Sequence, residues 1–273
     1  MDHSFVIPVY GETPGLPALL ASLRAQAGTR SAIVLTTSTP TAELAELARR
    51  EQLPLRVNPQ RAGIAADWNF ALDSSPTPLV TVAHQDDVFA AGYVTQLTGS
   101  LQRNPQALIA FSDFIEHTPG GARPLNVNVR IKRLLCRRAF GAREYLSEPR
   151  DKLRLLSFGN PICCPSVMLN RTALGEFHFP EGWRTNLDWM AWVTLARLPG
   201  GFVYVREPLV SKGIHPGSET TATIADQARA REDRAIFELL WPRPVAALIG
   251  AVYTLGYLAN RVGGERRFRR VPG

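Results

Sequence analysis

Two adjacent carboxylates, Asp86 and Asp87, follow the run Leu79-Val80-Thr81-Val82-Ala83-His84-Gln85. The residues before His84 are apolar and β-branched, the composition of a buried strand. In an open α/β sheet, ligands bind at the carboxyl ends of the strands. Carboxylates there suit a hard divalent cation, which usually accompanies a phosphate-bearing substrate. An acid pair before a helix also serves as a cap on a solvated turn, and spacing alone leaves both readings open. A third acid, Asp188, starts a helical run with Trp192 one turn on. A helix N-terminus favours the ionised form of an acid, a neighbouring indole desolvates it and raises its basicity, and an acid at this position also serves simply to complement the helix dipole.

Positioning these acids requires strands that end near them. From residue 4 to about 112 the chain alternates. Strand Ser4–Val9 leads to Thr13-Pro14, read as an N-cap with Pro at the first helical position, and Leu16, Leu19, Leu20 and Leu23 then share a helix face. Strand Ala32–Leu35 precedes a helix near Thr41–Gln52, and strand Leu55–Val57 precedes Ile64, Trp68 and Leu72 at helical spacing. Strand Leu79–Ala83 ends at the acids, and a helix through Tyr93, Val94, Leu97 and Leu101 returns to strand Leu108–Phe111. Such alternation argues for a mostly parallel sheet flanked by helices. After Asp113 a basic stretch punctuated by Gly and Pro runs to about Pro165. Strand Val167–Leu169, helix Asp188–Leu198 (apolar face Leu187, Ala191, Leu195, Leu198) and strand Phe202–Arg206 then extend the same sheet.

Composition narrows the partners. With 31 Lys+Arg against 24 Asp+Glu the chain carries +7, concentrated around residues 130–143 and 261–270. Basic clusters serve nucleic acid, anionic lipid or phosphorylated substrates, but no RNA-binding or zinc-finger pattern accompanies these, so nucleic acid is not expected. Cys136, Cys163 and Cys164 form neither a metal-binding spacing nor a disulfide framework and read as buried, reduced thiols of a cytoplasmic protein. The chain starts directly into a strand, so no signal peptide is expected. The apolar segment Val245–Leu258 is slightly short for a bilayer span and precedes a basic tail. It reads as an interfacial helix, a candidate contact with an anionic membrane surface, or as an ordinary buried helix.

Six segments in order resemble the family-2 glycosyltransferases, inverting enzymes of the GT-A fold. They are Phe5-Val6-Ile7-Pro8-Val9-Tyr10; Asn58-Pro59-Gln60-Arg61-Ala62-Gly63-Ile64 with Trp68-Asn69; His84-Gln85-Asp86-Asp87; Asn160-Pro161 with Pro165-Ser166-Val167-Met168-Leu169; Asp188-Trp189-Met190-Ala191-Trp192; and Ile214-His215-Pro216-Gly217-Ser218. The resemblance implies a single Rossmann-like catalytic domain over 1–222, with a helical, basic extension over 223–273. It also implies a nucleotide-diphosphate-sugar donor and Mg²⁺ or Mn²⁺ as electrostatic catalyst. Asp87 is the expected metal ligand. Asp86 would touch ribose or share the metal through water, and His215 would ligate the metal or meet the diphosphate. Asp188 is the expected base, beside Trp192. Pro8, Tyr10, Glu12, Thr37, Arg61 and Asn69 are the remaining candidates around the donor. A glycan or lipid-linked acceptor at the inner membrane face, in bacterial-type surface-glycan or polysaccharide synthesis, completes the expectation.

Two departures stand out. Where the family often carries an Asp pair on uracil, this chain has Thr36-Thr37-Ser38-Thr39-Pro40. Hydroxyls can bond a base edge, yet the donor nucleotide stays open among UDP, GDP and dTDP. Leu187 stands where an acid often precedes the base. Two other readings remain: a sugar nucleotidyltransferase, although Gly11-Glu12-Thr13-Pro14 lacks the Gly- and Arg-rich loop it needs, and a non-catalytic scaffold at the membrane.

Overall fold

The structure is a computed structural model that describes residues 2–28, 30–118, 121–123, 127–213 and 228–253. The chain begins β1 (His3–Pro8), α1 (Leu16–Arg24), β2 (Ala32–Thr37), α2 (Ala42–Arg50), β3 (Leu55–Val57), α3 (Ile64–Asp73), β4 (Leu79–Val82). It continues β5 (Val88–Phe89), α4 (Tyr93–Arg103), β6 (Ala107–Thr118), β7 (Gly121–Arg123), α5 (Val127–Phe140), β8 (Tyr145–Leu146), α6 (Pro149–Leu156). A 3-10 turn, Cys164–Ser166, then leads into β9 (Val167–Asn170), α7 (Arg171–Leu174), α8 (Leu187–Ala196) and β10 (Gly201–Gly213). Helices α9 (Ala228–Leu240) and α10 (243–253) follow. The described residues fall into two compact units, the second comprising 183–186 and 228–253.

In the first unit the strands form one sheet in the order β3-β2-β1-β4-β9-β6-β10-β5, with β7 on β6 and β8 on β10. β1 to β4 are mutually parallel, and so are β6 and β10. The sheet is nonetheless mixed, because β9 runs antiparallel between β4 and β6. One antiparallel strand between two groups leaves both groups pointing the same way. The carboxyl ends of β1, β2, β3, β4, β6 and β10 therefore share one edge, the edge where open α/β sheets take ligands.

Both faces of the sheet are covered, which is why its strands are apolar on alternate and consecutive positions alike. Phe5, Ile7, Leu16, Leu19, Tyr93, Leu97, Ala110 and Val203 are among the buried core, and each large aliphatic side chain there contributes about 1.5–3 kcal/mol. A polar thread crosses this core. His3 Nδ1 meets Ser31 Oγ at 2.8 Å, His3 Nε2 meets Thr81 Oγ1 at 3.0 Å, and Thr81 Oγ1 meets Tyr93 Oη at 3.0 Å.

Several expectations are corrected. Thr13-Pro14 does not cap α1: Gly15 is its N-cap residue, without a side-chain bond, and Pro17 lies in the first turn. A Cβ on Gly15 would lie 2.8 Å from the Gln85 carbonyl oxygen, so the helix entry is a close approach to the acid turn. The stretch from 113 to 165 is more regular than its Gly and Pro content indicates, since α5 has 14 residues. β10 extends seven residues past Arg206 to Gly213, with its register shifting around Pro208. α8 has no single apolar face, because Trp189, Trp192, Val193 and Ala196 are buried along with Leu187, Ala191 and Leu195, the signature of a core helix.

In the second unit, Glu232 on α9 accepts the backbone N–H groups of Arg184, Thr185 and Asn186 at 2.8–2.9 Å. α10 exposes Val245, Leu248 and Val252 and buries Ala246. No helix among the described residues is long and apolar enough to cross a membrane.

Candidate active site

The acid turn begins where β4 stops. Ala83 N–H still bonds the Val6 carbonyl at 3.0 Å, so the next residues leave the sheet at its ligand edge. Gln85 ties them to the loop after β1: its Oε1 accepts Tyr10 N–H at 3.0 Å, and its Nε2 donates to the carbonyls of Tyr10 and Glu12 at 3.2 and 3.0 Å. Sequence reasoning gave Gln85 no role, although it lies between the two residue types that drew attention.

Asp87 is 1 % exposed. Its Oδ1 accepts the Gly213 N–H at 3.0 Å, while its Oδ2 is buried with no hydrogen-bond partner among the described residues. Burial and the adjacent Asp86 push the Asp87 carboxyl up to about 8, against the pull of Lys212 and the Gly213 N–H. A carboxyl in this state ionises readily only beside additional positive charge. His84 Nδ1 is 3.8 Å from Asp87 Oδ2, beyond hydrogen-bond range. Burial holds that imidazole down to about 4, hence neutral, and its ring lies 4.9 Å from that of Trp68. Gly213 is required by space: a Cβ there would fall 2.4 Å from the Asp86 carbonyl oxygen and 3.2 Å from Asp86 Oδ2.

Lys212 precedes Gly213 on β10. Burial acts to lower its pKa, yet Cys163, Asp87, Asp188 and Glu116 together raise it. Cys163 is itself pushed up to about 12 by burial. The same ammonium thus senses Asp87 and Asp188, and Cys163 and Cys164 sense both acids too. These electrostatic influences relate the acid turn to the start of α8. Lys212 and Gly213 both went unread in the sequence.

Asp188 lies in the first turn of α8. Its Oδ1 accepts the Trp189 N–H at 2.7 Å and its Oδ2 accepts Asn160 Nδ2 at 2.9 Å. Asn160 is oriented in turn, because its Oδ1 accepts Ile162 N–H at 3.1 Å. The Asn-Pro pair was visible in the sequence; its grip on the acid was not. Trp192 is 1 % exposed, packs 6.0 Å from the ring of Phe179, and its indole N–H has no partner among the described residues.

The remaining candidates divide. Tyr10 is 64 % exposed at the ligand edge, Glu12 is exposed and Pro8 half-buried beside it. Thr37 is buried, and its hydroxyl accepts Thr39 N–H at 3.0 Å. Arg61 is exposed and donates from Nε to the Ser38 carbonyl at 3.1 Å. Asn69 is a clasp: its amide bonds both the carbonyl and the N–H of Phe179, at 3.0 and 2.7 Å. His215 lies outside the described residues. An acid does reach the end of β2, from an unexpected place: Asp67 on α3 accepts Ser38 Oγ at 2.9 Å and Asn58 Nδ2 at 3.0 Å.

The donor set at the acid turn fits a divalent cation of the Mg²⁺ or Mn²⁺ type: hard oxygens, one of them buried and unpartnered, on a carboxyl that requires positive charge. Among the described residues no three His, Cys, Asp or Glu side chains gather on one point; Mg²⁺ is commonly bound through only one or two carboxylates. A pocket of about 230 Å³ lies elsewhere, between the Leu174–Pro180 segment and α8, and Asp86, Asp87 and Asp188 do not line it.

The fold resembles that of known glycosyltransferases. The structure of S. aureus TarS 1–349 superposes with a TM-score of 0.58 at 14% identity, covering 94% of this chain and 71% of that one. The same protein in complex with UDP gives 0.59 at 14% identity, over 93% and 71%. In complex with UDP-GlcNAc it gives 0.61 at 14% identity, over 94% and 72%. These likenesses establish a GT-A-type α/β fold. No curated protein matches the sequence significantly. The profile of Glycosyl transferase family 2 matches residues 4–176, from the first strand through the acid turn to the segment after β9, and the chain belongs to that family.

Proposed function

We propose that this glycosyltransferase moves a sugar from a nucleotide-diphosphate donor to an acceptor hydroxyl with inversion at the anomeric carbon. The observation that carries this reading is Asp87, a buried carboxylate with one oxygen fixed by Gly213 N–H and the other unpartnered, in a family-2 chain. The acceptor oxygen attacks the anomeric carbon, the bond to the diphosphate oxygen breaks, and the hydroxyl proton passes to the Asp188 carboxylate. Asn160 and the Trp189 N–H hold that carboxylate in one orientation. Mg²⁺ or Mn²⁺, held by Asp87 with Asp86 in reach and with His215 as a further candidate ligand, would neutralise charge on the departing diphosphate. Lys212 adds fixed positive charge in the same neighbourhood.

TarS structures with UDP and UDP-GlcNAc support a nucleotide-sugar donor. For the donor's nucleobase, Tyr10 and Arg61 are the exposed candidates, with the Asp67–Ser38–Asn58 cluster at the end of β2. A lipid-linked glycan acceptor at the inner membrane face agrees with the exposed apolar face of α10.

Nucleotide-diphosphate release from UDP-, GDP- and dTDP-sugars, with an acceptor and with Mn²⁺ or a chelator, tests the reading. Chelation should abolish turnover, and Asp87→Asn and Asp188→Asn should each lower it at least ~10²-fold. Near-normal turnover in Asp188→Asn would remove the base assignment. Proton coupling at the product's anomeric centre reports inversion, and pyrophosphate release from a nucleoside triphosphate would favour a nucleotidyltransferase instead.

A further inference from the structure

Helix α5, Val127–Phe140, contains five cationic residues and no acid. Its inward face is explained by packing. Val129, Cys136, Ala139 and Phe140 are buried. Arg133 pairs with Asp113 at 2.5 Å and donates to the Phe114 carbonyl at 3.0 Å, and the Lys132 ammonium stands 5.4 Å from the Phe114 ring centroid. These contacts fasten the helix to β6 in the half of that strand that runs to the ligand edge.

The outward face has no such explanation. Val127, Ile131 and Leu134 are 70 %, 53 % and 64 % exposed. Their spacing of four and three residues puts them on one stripe. Arg130, Arg137 and Arg138 are exposed, and none of the three makes a close ion pair among the described residues, although Arg137 lies near enough to Asp113 to help hold its carboxyl down. An apolar stripe flanked by guanidinium groups on a convex helix matches the headgroup–acyl boundary of an anionic bilayer. Short aliphatic side chains enter the boundary there, while arginines reach phosphate at its surface. A protein partner is the poorer match, since hot-spot contacts favour aromatic anchors seated in pockets and this stripe has neither.

We infer that the outer face of α5 docks the protein on an anionic lipid surface. This inference does not depend on the sugar chemistry. The ligand edge of the sheet is thereby held near the lipid headgroups, the place from which a lipid-linked acceptor would arrive.

The test is co-sedimentation of the full-length chain with phosphatidylcholine vesicles, with and without phosphatidylglycerol. Two variants are compared with the wild type: Ile131→Glu/Leu134→Glu, which removes the apolar stripe, and Arg130→Gln/Arg137→Gln/Arg138→Gln, which removes only charge and protects the test should the first fail to fold. The wild type should bind the anionic vesicles, and each folded variant should bind at least ~10-fold more weakly with an unchanged thermal midpoint. The inference is overturned if the wild type ignores anionic vesicles or if folded variants bind as well as it does. It is also overturned if sedimentation velocity without lipid reveals a dimer that Ile131→Glu/Leu134→Glu abolishes, which would assign the stripe to a second copy. Transfer to a soluble acceptor is measured in parallel, so loss of lipid binding and failure of the proposed chemistry are read separately.

Discussion

Asp87 is fixed by a backbone N–H 126 residues away in the chain, and that distance explains what could be read from the sequence around it. Two acids after a β-branched run are a local pattern, visible without a structure. Gly213 and Lys212 are not: Arg206-Glu207-Pro208 interrupts the strand pattern, and the register shift there lets β10 continue regardless. Gly213 can be tested directly. A methyl group at this position would meet the Asp86 carbonyl at 2.4 Å, a backbone atom that cannot swing aside. Gly213→Ala should therefore cost about 1–3 kcal/mol and displace the turn that presents both acids. Urea unfolding and nucleotide-diphosphate release should fall together, and a variant as stable and active as the wild type would show that the turn tolerates the shift.

At the level of elements, the first half of the sheet follows from hydrophobic periodicity, and the helices between residues 113 and 200 show where that signal fails. α5 and α6 carry their cations on faces that pack as well as on faces that do not, which blurs the apolar stripe. Lys152 on α6 is the extreme case, a fully buried lysine. Its ammonium donates to the carbonyls of Leu198 and Gly200, at 2.7 and 2.5 Å, just beyond the end of α8. Those carbonyls lie at the negative end of the helix dipole, where a cation is favoured. Lys152→Met keeps most of the volume but strips both acceptors of their donor. The expected loss is about 2–3 kcal/mol, read as a lower urea midpoint. Because Asp188 lies at the opposite end of α8, turnover of the folded variant should fall much less than in Asp188→Asn. An unchanged midpoint would mean that water replaces the ammonium.

Across the whole molecule, the thread from Ser31 through His3 and Thr81 to Tyr93 links the segment before β2 to β1, β4 and α4, so its protonation state bears on the entire core. Burial pushes His3 down to about 3 from 6.5. The unfolded chain therefore takes up a proton between those values that the folded chain refuses. The resulting contribution is complete above pH 6.5 and is lost as pH falls through the window, by up to ~1.4 kcal/mol per pH unit. His84, held near 4 by burial, acts in the same direction. Asp87 acts in the opposite direction, since a carboxyl raised to about 8 favours the folded state at lower pH. Only a comparison with His3→Gln isolates the thread. Glutamine retains hydrogen-bonding capacity but does not titrate, so its stability, measured by urea unfolding at fixed ionic strength, should decline less steeply below pH 6.5 than that of the wild type. Because His84 and Asp87 are unchanged in the variant, their contributions cancel in the difference. Parallel acid limbs for the two proteins would show that His3 is protonated in place and that the core opens by another route.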